Sequence, residues 1–361
     1  MLTFAPLFLN TVAGTPKNVL GPRGIIDNCP LTTDNKGQAK HKHIPSFPQT
    51  NMRRNEEQYR TMIKRIKGAS LLALPQSAVK VFELSKDERN GPKEFAAVIT
   101  PDLGLTSQIL RFVNSAFFGF RNKVTTVQMA LSLVYGRTIK NFVLWNAVFA
   151  QMPNPQCGPF DLKKIFQDSL RRGLFARILT PYCPGNLDPE ELFLCALFQD
   201  MAIPILAQTW PKEYEEILAR RQKEKRRLSV LENETFGWNH ADAGGFLVNA
   251  WGFTDDFVDV IVEHIEQDDD IDIKTCDPHQ LRRAIVALAG LLPSVVDEKW
   301  DDADAFFNLY SRFIQPELPS VNVVFEQIER QMPELAAIAH LGPVTDSLPK
   351  FHQQWLQTLE Q

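Results

Sequence analysis

From residue 72 onward, apolar residues recur at the three- and four-residue spacing of helices. Ala78, Val81 and Phe82 form a first face, and 94–99 a second short segment. Thr106, Ile109, Leu110 and Val113 form a third face, and Val127, Ala130, Leu131, Leu133 and Val134 a fourth. The stretch 139–149 is apolar nearly all round, which predicts a central helix. Further helices are predicted over 162–179, 189–208, 211–223, 239–251, 254–266, 280–291 and 321–340. A less regular one spans 300–313, and a short charged one spans 55–67. No set of alternating strands is present. The pattern predicts an all-α fold, a compact multi-helix array rather than a simple four-helix bundle.

Upstream the pattern breaks down. Residues 14–53 are rich in Gly, Pro, Asn, Thr and Lys and read as an extended or disordered arm, in which His41-Lys42-His43 is a solvated polar tract. Residues 1–13 are apolar, but they lack a basic leader and carry Pro6. The run is too short to cross a bilayer, so no membrane association is expected. The expected organisation is an arm over 1–71, a core domain over 72–267 and a helical extension over 268–361. The acidic stretch Asp268-Asp269-Asp270-Ile271-Asp272 reads as a solvated linker. A calcium loop would need Gly where Ile273 stands and Glu where His279 stands.

The formal charge of −4 and pI of about 6.0 give no global field toward nucleic acid or anionic lipid. The basic run Arg220-Arg221-Gln222-Lys223-Glu224-Lys225-Arg226-Arg227 has no interleaved aromatics and reads as a solvated helix end, so nucleic acid is not an expected partner. Five cysteines without a CxxC pair fit a reducing, cytoplasmic setting, with Cys195 a small core residue. Phosphate-loop, dinucleotide, HExxH and GxSxG motifs are absent from the sequence.

Leu197-Phe198-Gln199-Asp200-Met201 changes the picture most. It places a carboxylate inside the apolar run 191–208. Burying Asp200 costs free energy unless it is paired or binds a metal. Its neighbour Gln199 stands where a His would complete a ligand pair, and an amide is a poorer ligand than imidazole. The segment reads as a metal-dependent scaffold with its chemistry removed.

Other motifs supply a resemblance. Leu74-Pro75 is followed by Ile99-Thr100-Pro101-Asp102-Leu103-Gly104-Leu105-Thr106, by Leu110-Arg111-Phe112-Val113-Asn114-Ser115-Ala116-Phe117-Phe118-Gly119, by Val124-Thr125-Thr126 and by Ala130-Leu131 to Gly136-Arg137. Farther on come Leu231 to Gly244, Trp251-Gly252-Phe253 and Glu263-His264. In this order they resemble the HDOD domain, an all-helical relative of the HD and HD-GYP phosphohydrolases in bacterial signalling. Each motif also has a structural role: Asn114 at a helix end, Gly119 in a left-handed turn, Phe117 and Phe118 as core anchors, Thr125-Thr126 as a helix start, and Gly244 for close packing.

The resemblance implies that Asp168 replaces the first His of a catalytic member and that the His-Asp pair becomes Gln199-Asp200. His240 and His264 fall at extra ligand positions, and Gly290 or a neighbour replaces the last Asp. Asp168, Gln199, Asp200, His240 and His264 are then a vestigial pocket able to hold an effector, with no catalytic residues, metal or cofactor. The implied function is a non-catalytic regulatory module that binds a protein partner of a bacterial signalling pathway or a small effector. The alternative is a residual metal-dependent phosphohydrolase acting on nucleotides or cyclic dinucleotides.

Overall fold

A computed structural model describes residues 32–33, 39–40 and 56–359, apart from 69–73, 88, 116–117, 135, 267–270, 295–298, 314–317 and 345–346. His41-Lys42-His43, Phe117, Cys29 and most of the acidic stretch lie outside the described residues. The chain divides into two units, 1–49 and 50–361. In the first, β1 (Thr32–Thr33) pairs antiparallel with β2 (Ala39–Lys40).

The second unit is helical, as the periodicity predicts. Its elements are α1 (Glu56–Gly68), α2 (Gln76–Ser85), α3 (Pro92–Ile99), α4 (Leu103–Val113), α5 (Val127–Leu133) and α6 (Gly136–Gln151). Then follow α7 (Leu162–Leu179), α8 (Pro189–Phe198), α9 (Ile203–Thr209), α10 (Pro211–Glu224), α11 (Leu228–Phe236) and α12 (His240–Ala250). The chain closes with α13 (Asp255–Glu263), α14 (Pro278–Gly290), α15 (Ala303–Arg312), α16 (Val321–Ile338) and α17 (Leu348–Leu359).

Local chemistry sets the ends of these helices. Asp102 caps α4 by accepting from the Leu105 N–H, and Thr126 caps α5 by accepting from Met129. Asn114, just past α4, bonds the Leu110 carbonyl and both backbone groups of Val124, which ties the helix end to the following loop. Gly119 has φ 61°, the left-handed turn expected there.

Two elements depart from the pattern. The predicted helix 189–208 is two helices. Pro204 has no N–H to offer the Asp200 carbonyl, which accepts from Ile203 instead at 3.0 Å. The chain therefore turns between Phe198 and Ile203, and Asp200 sits in the turn rather than inside a helix. The helices α11 and α17 are also not evident from periodicity; both are short, with few buried positions.

Helix α7 is the centre of the packing, lying against α8, α14 and α16. Its Gly173 faces Phe193, and a methyl there would come within 3.0–3.1 Å of that ring and of the Phe193 carbonyl. The stretch Pro189–Thr209, the one segment among the described residues apolar and long enough to cross a membrane, has 83% of its most apolar window buried in this core.

Helices α12 and α13 meet as closely. A methyl on Gly244 would lie 3.1 Å from Cγ2 of Ile261, and one on Gly245 would overlap Cγ2 of Val262. This contact sets where His240 and His264 stand. Gly245→Ala is expected to destabilise the fold by about 1–3 kcal/mol through overpacking, despite alanine's better helix propensity. A fall in the urea midpoint at unchanged m-value would show it.

Candidate functional site

Four elements bring Asp200, His240 and His264 together. The α8–α9 turn carries Asp200. His240 is the first residue of α12, after the capping residue Asn239, whose side chain accepts from Ala241 and Asp242. His264 closes α13. Helix α7 supplies Arg172, whose guanidinium makes a close ion pair with Oδ2 of Asp200. On the other oxygen, Oδ1, Nε2 of His240 lies at 3.3 Å and Nε2 of His264 at 3.5 Å.

Hydrogen bonds behind the rings fix their orientation. Nδ1 of His240 lies 2.5 Å from Oε2 of Glu232, which also accepts the His240 backbone N–H at 2.9 Å. The other oxygen of Glu232 accepts the Tyr214 hydroxyl. Burial, with Glu232 alongside, pushes the Tyr214 pKa well up, so this hydroxyl keeps its proton and donates. Nδ1 of His264 faces the Ile261 carbonyl at 2.6 Å and must carry the proton there. Burial first, and the neighbouring His240 second, hold His264 well below the ordinary 6.5. His264 is therefore neutral, with a bare Nε2 turned toward Asp200.

Asp168 lies on the same wall of the cleft. Its Oδ2 accepts from the Ser294 hydroxyl at 2.5 Å, and its Oδ1 lies 3.7 Å from the Arg171 guanidinium. Asp168, Arg172, Asp200, His240, His264 and Ser294 border one cavity of about 500 Å³. Of the five residues expected to share a pocket, four line it. Gln199 instead lies behind Gly290, fully buried, and neither amide atom has a hydrogen-bond partner among the described residues. A side chain at 290 would begin 3.4 Å from its Oε1.

By sequence, the basic run is a surface separate from this pocket. In the structure Arg221, Lys225, Arg226 and Arg227 border the same cavity. It is also a helix end neutralised locally: Arg220 and Arg226 each pair with both Glu224, within the run, and Glu234 on α11. Burial lowers the pKa of Arg227, which donates to the Ile265 carbonyl at 3.2 Å. Sequence reasoning missed Arg171, Arg172, Glu232 and Ser294. The one available signal was the Arg171-Arg172 pair in the middle of the helix that carries Asp168.

A metal fits this site in part. Asp200, His240 and His264 offer ligand atoms within 4.8 Å of one another, and the partners of both Nδ1 atoms leave the Nε2 atoms facing inward, as in metal-binding histidines. Against it, Arg172 already neutralises Asp200, Asp168 is engaged by Ser294 and Arg171, and Gly290 has no side chain to contribute. The donors suffice for one ion and not for a two-metal centre.

An all-α array with a buried Asp-His-His cluster defines the class, and comparison with known proteins supplies the family. The HDOD domain matches residues 71–267, and the chain belongs to that family. An uncharacterized protein of Treponema pallidum (strain Nichols) is 22% identical over 265 residues; the match covers 72% of this chain and 45% of that longer relative. Among solved structures, a candidate phosphohydrolase of Shewanella amazonensis SB2B superposes with a TM-score of 0.59 at 18% identity, over 78% of this chain and 97% of its own. A protein of Marinobacter aquaeolei VT8 assigned to signal transduction gives 0.58 at 18% identity, over 80% and 66%. Both share the fold.

Two outcomes follow from the cluster. Arg172→Leu strands the Asp200 charge and is expected to cost about 3–5 kcal/mol, while Arg172→Leu with Asp200→Leu recovers much of the loss in urea titrations. The second concerns pH. Below 6.5 the unfolded chain protonates at position 264 and the folded chain does not. His264 therefore removes up to about 1.4 kcal/mol of stability per pH unit as the pH falls below that value. Melts at successive pH values should show a shallower acid-side decline in His264→Gln than in the native chain.

Proposed function

We propose that this chain is a non-catalytic regulatory module of the HDOD type, which holds a small effector in the cleft bordered by Asp168, Asp200, His240 and His264 and acts on a protein partner in a bacterial signalling pathway. We also propose its organisation: an arm over 1–71, the HDOD domain over 72–267, and a C-terminal extension over 268–361. The observation that carries the reading is the Arg172–Asp200 ion pair. The central carboxylate already has a cation, one that cannot be deprotonated and cannot activate water. Asp168 in place of a His, Gln199 with an unpartnered amide and the bare Gly290 each remove a further ligand position of a hydrolytic centre. What is left is a polar cleft of a volume suited to a small molecule. The signal-transduction assignment of the similar Marinobacter protein accords with this role.

The convergence of Asp200, His240 and His264 favours a second reading, a residual phosphohydrolase acting on nucleotides or cyclic dinucleotides. An ion held by these three would polarise a water for attack on phosphorus. The candidate phosphohydrolase of Shewanella, which shares the fold, is consistent with it.

Elemental analysis of untagged protein purified without chelators, before and after incubation with manganese or iron, separates the two. Substoichiometric metal in both samples, and no phosphodiester cleavage, is the expected result. Near-stoichiometric metal and cleavage, both lost in Asp200→Ala, would overturn the regulatory reading.

A further inference from the structure

Two adjacent arginines leave α7 in different directions. Arg172 turns into the cleft to Asp200, whereas Arg171 passes away from it, fully buried at 1% exposure. Its Nη1 lies 3.7 Å from Oδ1 of Asp168, a cleft residue. Its Nε donates to Oε1 of Glu329 on α16 at 2.8 Å, and its Nη2 reaches Oε2 of the same carboxylate at 3.4 Å. Oε1 of Glu329 also accepts the backbone N–H of Leu348, the first residue of α17, at 3.2 Å. A continuous polar line thus runs from Ser294 and Asp168 in the cleft, through Arg171 and Glu329, to the start of the C-terminal helix.

The line joins the Arg171 cation to two carboxylates, Asp168 buried and Glu329 largely so at 15% side-chain exposure, so Arg171 is divided between two competing anions. A gain by one is a loss by the other, because low polarity makes each contact costly to leave unmade. Asp168 is the end that a cleft occupant can reach, since it and Ser294 border the cavity. The output end is light. Helix α17 buries only Leu348 and Phe351; its other anchors are half-exposed, Trp355 stacked on Phe307 with ring centroids 4.1 Å apart and donating to Asp304 at 3.2 Å, and His352 set against Phe307 and Phe325. The Glu329 bond to Leu348 is the side-chain tie at its start, beside the local turn in which the Ser347 carbonyl accepts from Lys350 and Phe351.

We propose that α17 is a C-terminal latch whose docking is set from the cleft through Asp168, Arg171 and Glu329. An occupant that satisfies Asp168 hands Arg171 to Glu329 and tightens the latch; one that frees Asp168 from Ser294 draws Arg171 back and loosens it. The biological use of the latch rests on the effector-binding reading above, but the link itself is testable without any ligand.

The measurement is amide hydrogen exchange of residues 351–359 in the full chain, with exchange in α2–α5 as the folding control. Asp168→Asn removes the competing charge and should slow exchange there by about threefold or more. Ser294→Ala strips a donor from Asp168 and should speed it by a similar factor. Neither residue belongs to α17 or to α15 and α16, the helices it packs on, so opposite shifts are a signature that a general loss of packing would not produce. In a Glu329→Gln background both effects should vanish. Exchange in 351–359 unmoved by both cleft variants, shifted in the same direction by both, or shifted equally with and without Glu329 would sink the proposal. Because no ligand enters the experiment, a cleft that binds nothing leaves a positive result standing, and a failed link leaves effector binding intact.

Discussion

The arrangement depends on one buried carboxylate. Asp200 is 7% exposed at the meeting of α7, α8, α12 and α13, where an uncompensated charge would cost several kcal/mol. Arg172 answers that cost with a guanidinium in the same core. Arg172 takes one oxygen, and two imidazoles flank the other. Those imidazoles are held by Glu232 and by the Ile261 carbonyl, and Glu232 is held in turn by Tyr214. The close contact of α12 and α13 at Gly244 and Gly245 keeps both histidines in reach.

The same solution accounts for the mixed character of the site. Three inward-facing donors keep the geometry of a metal-binding cluster, while a guanidinium supplies the positive charge that a metal would bring. Arginine does so without lowering the pKa of a water or offering an open coordination position. The cleft therefore combines the donor geometry of a metal-binding cluster with a central carboxylate that is already neutralised.

Much of the helical framework was legible because burial on one side of a helix leaves a period of 3.6. The ends of α3, α4, α5 and α7 follow from that period together with Asp, Thr and Gly at their boundaries. The break after Phe198 was hidden because both halves are apolar all round, so no change of face marks it; only Pro204 did. Helix α17 escaped notice since its buried face is two residues wide. At the site, Asp168, Asp200, His240 and His264 were legible as a group through motif order, and they share one cleft. Arg171 and Arg172 were not. Adjacent on one helix, they diverge by the roughly 100° per residue of an α-helix and so meet different partners.

By itself, the sequence determined an all-helical chain, through local periodicity, and a resemblance to the HDOD family, through the order of its motifs, with Asp168, Gln199 and Gly290 standing where that resemblance expects metal ligands. Only the tertiary structure decided which charges meet: that Arg172 pairs with Asp200, that the basic run borders the same cleft, and that Glu329, 158 residues from Arg171 along the chain, joins that cleft to α17. Charges act through space, and their partners in a folded core are chosen by helix packing, which leaves no periodic mark along the chain.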